Sequence, residues 1–192
     1  MNLILPDEVS VELTAPKQNL TVNVTFPNNI SDNAAAYQDM KATISGGDLA
    51  EDIVVNFGSD EEVALVDNAY TFTQELTENT TYTVTISGAG YRTTRYSVNM
   101  AEDKVLTFWN NVMDEAKVIE TGKDTSAVKT NFLAGDIVAD NNINIYDLSA
   151  VVSYFGTINV TDAASQYAKY DLNRDGVIDS KDVALVLVSW GN

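Results

Sequence analysis

The sequence predicts two units: an all-β antiparallel sandwich over residues 1–131, followed by a small all-α unit over residues 132–192 made of two loop–helix repeats. Three observations carry that reading. Residues 9–109 alternate apolar and polar side chains with period two, whereas the last third of the chain switches to a helical period. The acid in residues 132–192 is eight aspartates and no glutamate, against three basic residues. And "GDIVADNNINIYDLSAVVSYFG" aligns without gaps on "YDLNRDGVIDSKDVALVLVSWG", with an offset of 35 residues from Asp136 to Asp171.

The strands come first. "VSVELT" (9–14), "NLTVNVTF" (19–26), "YTFTQE" (70–75), "TYTVTIS" (81–87) and "RYSVNM" (95–100) are rich in Thr, Val and Tyr. Turn signals part them: "PNN" (27–29), "SGG" (45–47), "DN" (67–68) and "SGAG" (87–90). Short strands at regular spacing argue for an antiparallel sandwich of roughly seven to nine strands. Residues 110–130 are less patterned and fit a short helix, or a long loop ending in a strand.

The helices follow. "IYDLSAVVSYFG" (145–156) places Leu148, Val151, Val152 and Phe155 at i, i+3, i+4, i+7, and "SKDVALVLVSWG" (180–191) does the same with Val183, Val186, Leu187 and Trp190. Each starts on a capping pattern, Asn144 with Asp147 and Asp179 with Asp182. Each ends on a glycine suited to a left-handed cap, Gly156 and Gly191. Leu148, Val151 and Phe155 are expected to pack against Val183, Val186 and Trp190. Between the repeats, "TDAASQYAK" (161–169) is expected to form a short helix capped by Thr161.

Composition narrows the chemistry. Among 192 residues the net charge is −17 and the basic residues are unclustered, which argues against nucleic acid or an anionic membrane as partner. No apolar run is long enough to span a bilayer. "MNLILPDEVS" has no basic start, so a signal peptide is not expected there; a piece of a longer chain would begin this way. Cysteine and histidine are both absent. That removes disulfides, thiolate and imidazole metal sites and the commonest catalytic bases. Only hard oxygen ligands remain, which suit calcium, magnesium or manganese. The acidic runs "DE" (7–8), "ED" (51–52) and "DEE" (60–62) fall at turns and read as solvated surface rather than a catalytic pair, so an enzyme is not expected.

The clustered aspartates have a specific pattern. A calcium loop of twelve residues supplies oxygens from positions 1, 3, 5, 7 (through its carbonyl), 9 and 12, with a sharp turn at 6. Loop 2, residues 171–182, gives Asp171, Asn173, Asp175, the carbonyl of Val177, Asp179 and Asp182, with Gly176 at the turn. Loop 1, residues 136–147, gives Asp136, Asp140, the carbonyl of Asn142, Asn144 and Asp147. Its third position is Val138, which offers no ligand and leaves a place for water, and its sixth is Asn141, which tolerates a left-handed turn. Two Ca2+ ions add four positive charges against a local net charge of −5. No amphipathic helix enters loop 1, which argues against a calmodulin-like sensor.

These residues resemble a dockerin, the module that plugs cellulosomal proteins into cohesins. "GDIVADNNINIYDL" and "YDLNRDGVIDSKDV" match its two loop–helix repeats across residues 135–191. Val138, with Ile145 and Tyr146 at positions 10 and 11, resembles the type II class. "TTYTVTISGAGYRTTRYSV" (80–98) resembles a strand–turn–strand of the X module, an Ig-like sandwich that precedes such dockerins. The resemblance implies calcium-dependent binding of a type II cohesin on an anchoring or adaptor scaffoldin. It also implies a monomer that forms a 1:1 heterodimer, outside the cell and at its surface.

The helices nominate the docking residues. Helix 2 is apolar nearly all round, so apolar side chains spill beyond its core stripe. Ile145, Tyr146, Ser149, Val152 and Ser153 on helix 1, with Ser180, Lys181, Ala184, Leu187 and Val188 on helix 2, form the candidate partner face; cover by the sandwich is the other reading. Positions 10 and 11 differ between repeats, Ile–Tyr against Ser–Lys, which predicts a single docking orientation. Two other functions compete. One is an Ig-like carbohydrate-binding module with a calcium-stabilised tail, and the other is a calcium-stabilised stalk with no specific partner.

Overall fold

Burial along β1 (Lys17–Thr25) follows the period-two pattern: Leu20, Val22 and Val24 are fully buried, and the residues between them are partly exposed. The structure, a computed structural model, describes residues 14–26, 34–59, 63, 65–66, 69–109, 127–158, 160 and 164–191. β1 is the middle strand of a five-stranded sheet in the order β4 (Leu65–Val66), β5 (Ala69–Thr77), β1, β8 (Lys104–Trp109), β9 (Ala127–Asn131). The second sheet runs β10 (Ala134–Asp136), β7 (Gly90–Asn99), β6 (Thr81–Gly88), β2 (Lys41–Gly46), β3 (Ile53–Asn56).

Inward-facing side chains from both sheets share one core. Val22 pairs in register with Phe72, Ile44 with Val84 and Ala42 with Ile86. Phe57 stacks on Tyr70 at 5.0 Å, and Tyr91 on Phe132 at 5.0 Å. Each such side chain contributes roughly 1.5–3 kcal/mol of burial. Tyr37, Tyr70, Tyr82 and Tyr91 are all buried.

Two strand pairs depart from the expected antiparallel order. β1–β8 and β8–β9 are parallel. Parallel neighbours need a crossover rather than a tight turn, and β8 reaches β1 only after the chain has built β6 and β7 in the other sheet. Local alternation does not encode that. Of the predicted strand 9–14, residues 9–13 lie outside the described residues, as do the turns at 27–29 and 67–68 and residues 110–126. β9 is the strand expected at the end of 110–130.

The chain then steps from one sheet to the other. Asn131 ends β9, Phe132 and Leu133 are buried, and Ala134 opens β10 beside β7. Beyond β10 come α1 (Ile145–Ser153), a single 3-10 turn (Ala168–Tyr170) and α2 (Ser180–Val188). This part is not purely helical. Its first residues belong to the sandwich's second sheet, and an isolated bridge joins Ile158 to Val177. The expected helix over 161–169 is absent from its described part, where residues 164–167 turn and only the 3-10 turn follows; Thr161 lies outside the described residues.

Candidate calcium loops and docking faces

Both repeats fold through the same hydrogen bonds. In loop 1, Asp136 accepts from the N–H groups of Asp140 and Asn141, at 3.0 Å each. In loop 2, Asp171 accepts from Asp175 and Gly176, at 3.2 and 2.9 Å. Position 12 closes each loop. Asp147 accepts from Ile137, Val138 and Asn144 at 2.8–2.9 Å, and Asp182 from Leu172, Asn173 and Asp179 at 2.7–3.2 Å. Asp147 and Asp182 are both fully buried. The backbones match as well. Position 4 is left-handed in both (Ala139 φ 61°, Arg174 φ 58°), and so is position 6 (Asn141 φ 66°, Gly176 φ 90°). Asn141 thus does the work of the glycine.

Each helix starts on the expected capping box. Asn144 accepts from the Tyr146 N–H and Asp179 from the Lys181 N–H, while the position-12 aspartate bonds back to each cap. The repeats then cross over. The N–H of Gly156, after α1, donates to Ile178 in loop 2 at 2.8 Å, and that of Gly191, after α2, donates to Ile143 in loop 1 at 3.0 Å. Both glycines are left-handed, as expected of their caps. The 35-residue repeat is therefore a pseudo-two-fold pair in which each helix exit closes the other repeat's loop.

The donor set fits a calcium ion. Loop 2 offers carboxylates at positions 1, 5, 9 and 12 and an amide at 3, and Asn173 sits beside Asp175, its Nδ2 donating at 2.9 Å. Burial pushes the Asp171 carboxyl up to about 7, with the charge of Asp182 adding to the rise. Burial also raises Asp182 and Asp136. Asp175 goes the other way: burial pushes it up, but hydrogen bonds from Lys181 (2.6 Å) and Asn173 prevail and hold it low. Buried carboxyls that resist ionising are what a divalent cation relieves. Among the described residues no three acidic side chains stand grouped as a cluster by themselves. Their oxygens are turned onto backbone N–H groups, so a full shell draws on amide and carbonyl oxygens too. Val138 is half exposed and leaves the third place of loop 1 to solvent.

The helix faces divide as burial dictates. Val151 and Val186 are fully buried, with Leu148 and Val183 partly buried beside them. All ten candidate docking residues are exposed: Ile145, Tyr146, Ser149, Val152 and Ser153 on α1, and Ser180, Lys181, Ala184, Leu187 and Val188 on α2. The sandwich does not cover them. The expected core pair Phe155–Trp190 is corrected: Phe155 is 57% and Trp190 42% exposed. Each helix is nine residues long and ends before its aromatic, so the i+7 position falls in the following turn.

A seam that the sequence did not reveal joins the loops to the sandwich. Arg174 is buried, and its Nη2 donates to Asp39 at 3.2 Å and to the Ala89 carbonyl at 2.9 Å. The Tyr91 hydroxyl donates to the Leu172 carbonyl at 2.5 Å. A Cβ on Gly90, at φ +82°, would run into the Lys169 carbonyl. The one signal in the sequence was a lone arginine inside an acidic loop.

Comparison with known proteins agrees with this geometry. The family described as "Dockerin type I domain" matches residues 134–187. Two cellulosomal-scaffolding proteins of Acetivibrio thermocellus, B and A, are each 29% identical over 162 residues, or 79% of this chain. The chain spans only 20% and 8% of their lengths. Two crystal structures of type II cohesin–X-dockerin complexes from Acetivibrio cellulolyticus, an N-terminal and a C-terminal interface mutant, share the fold. Each has a TM-score of 0.56, at 22% and 21% identity, covering 91% of this chain and 96% of theirs. Residues 134–187 thus match the dockerin type I family model, and with the β-sandwich before them they share the fold of the X-dockerin structures.

Proposed function

We propose that this chain is a non-catalytic interaction module that binds a type II cohesin in a calcium-dependent manner and so joins two parts of a cellulosome at the cell surface. The observation that carries this is the matched pair of helices, each leaving its apolar outer face in solvent: Ile145, Tyr146 and Val152 on α1, Leu187 and Val188 on α2. Support for the partner class comes from the fold shared with X-dockerins in complex with type II cohesins. The matching family carries the type I description, so the class is itself under test.

Two calcium ions would be held by the ten side-chain and carbonyl positions at 136, 140, 142, 144 and 147 and at 171, 175, 177, 179 and 182, with Asn173 as an eleventh. The ions supply positive charge that keeps the buried carboxyls ionised. The chain does the rest. Asp147 and Asp182 each tie the first turn of a helix to the start of its loop, so an ordered loop fixes where its helix begins. The Ig-like sandwich supports this unit as an X module. Its described tyrosines are mostly core residues, which gives a polysaccharide no platform there. Ile145–Tyr146 against Ser180–Lys181 breaks the pseudo-symmetry at the face, so one docking orientation is expected.

Calorimetric titration against one type I cohesin, one type II cohesin and soluble cellulose oligomers tests the reading. Binding of the type II cohesin alone, one to one, supports it. Binding of the type I cohesin or of the oligomers instead would replace the partner.

A further inference from the structure

Arg174 holds the fourth position of loop 2 and is only 2% exposed, although arginine is almost never buried without a reason. Its backbone is left-handed at φ 58°, as is that of Ala139 at φ 61° in loop 1, so the turn belongs to the loop itself. What differs at Arg174 is the side chain, whose partners lie in the sandwich. Nη2 bonds Asp39 and the Ala89 carbonyl, and the guanidinium lies 5.8 Å from the centre of the Tyr91 ring. Asp39 in turn accepts from the Ala89 N–H at 2.9 Å. The same turn touches the first residue of loop 1, because Gly90 pairs with Asp136. Ala139, which corresponds to Arg174 in loop 1, is exposed, and its methyl group has no polar atom with which to make such an anchor.

We propose that Arg174 is a positioning residue for calcium at loop 2. By tying position 4 to Asp39 and Ala89, it holds the ligand-bearing backbone in its binding conformation. Calcium at loop 2 and folding of the sandwich are then coupled, and coupling is reciprocal. The proposal rests on the calcium reading of the loops. Its sign separates it from plain electrostatics. A nearby guanidinium repels a dication, so if charge dominated, removing Arg174 would tighten binding. If positioning dominates, removing it loosens binding, because residues that orient ligands typically carry about 10–100-fold in metal affinity.

Calcium titration of the whole chain followed by amide NMR reads the loops separately, with the Gly176 N–H reporting loop 2 and the Asn141 N–H reporting loop 1. Arg174→Met is expected to weaken calcium binding at Gly176 by about tenfold or more, with a much smaller change at Asn141. Arg174→Lys is expected to restore part of the loss. Asp39→Asn, a milder change should Arg174→Met fail to fold, is expected to act in the same direction. Unchanged or tighter binding at Gly176 would overturn the proposal. Equal loss at both loops would also overturn it, as general destabilisation. A wild-type chain with no calcium response would overturn the calcium reading and this proposal together.

Discussion

Replacing Asp182 with alanine removes one carboxylate and strands three backbone donors. The N–H groups of Leu172, Asn173 and Asp179 all point at it, at 2.7, 3.2 and 2.8 Å. Leu172 and Asn173 are buried, so water does not replace the acceptor there. A hydrogen bond to a charged group contributes about 1.5–3 kcal/mol net. The third donor is nearer solvent, and the raised carboxyl of Asp182 offsets part of the gain. A loss of about 3–5 kcal/mol results, a large share of the roughly 5–15 kcal/mol that holds a domain. Urea unfolding followed by far-ultraviolet circular dichroism measures it, as a fall in midpoint at constant slope. The loss should be larger in calcium than in chelator, because a ligand goes with the cap. A loss below about 1 kcal/mol in both conditions would mean that position 12 does not hold the loop.

The remaining predictions test the charges, the face and the seam. Asp171, Asp136 and Asp182 have folded-state carboxyls raised above their unfolded value, so in calcium-free solution the native state binds more protons. Stability without calcium should therefore fall as pH rises from about 4 to about 7, and melting temperatures across that range check it; in calcium the trend should reverse, since protons compete for the ligands. Asp48 and Asp175 are shifted down and act below that window. Val152→Glu and Leu187→Glu, at positions 52% exposed, should change stability by less than about 0.5 kcal/mol. They should weaken cohesin binding about tenfold or more by calorimetry; unchanged affinity would favour the stalk reading. Gly90→Ala should lower the melting temperature sharply, because its Cβ meets the Lys169 carbonyl and lies 2.8 Å from Leu172 Cδ2; a wild-type melting curve would show that the seam yields.

What the sequence disclosed follows the range of the forces involved. Strands β1, β5, β6 and β7 were legible because one buried face forces alternation, as Leu20, Val22 and Val24 show. The loops and caps were legible because their donors and acceptors lie within twelve residues, from Asp171 to Asp182. Helix length was not. The Gly156 N–H leaves the helical path to bond Ile178 in the other repeat, which stops α1 early and leaves Phe155 outside. Nor were the parallel β1–β8 pairing or the Arg174–Asp39 contact legible, since their partners lie 84 and 135 residues apart. The separation of 84 is that of Leu20 from Lys104.

The most direct test is titration of the whole chain with a type II cohesin, once in calcium and once in excess chelator. Tight one-to-one binding in calcium that disappears in chelator is the expected result. Equal binding in both, or none in calcium from a folded chain, would contradict the claim that calcium orders these helices for a cohesin.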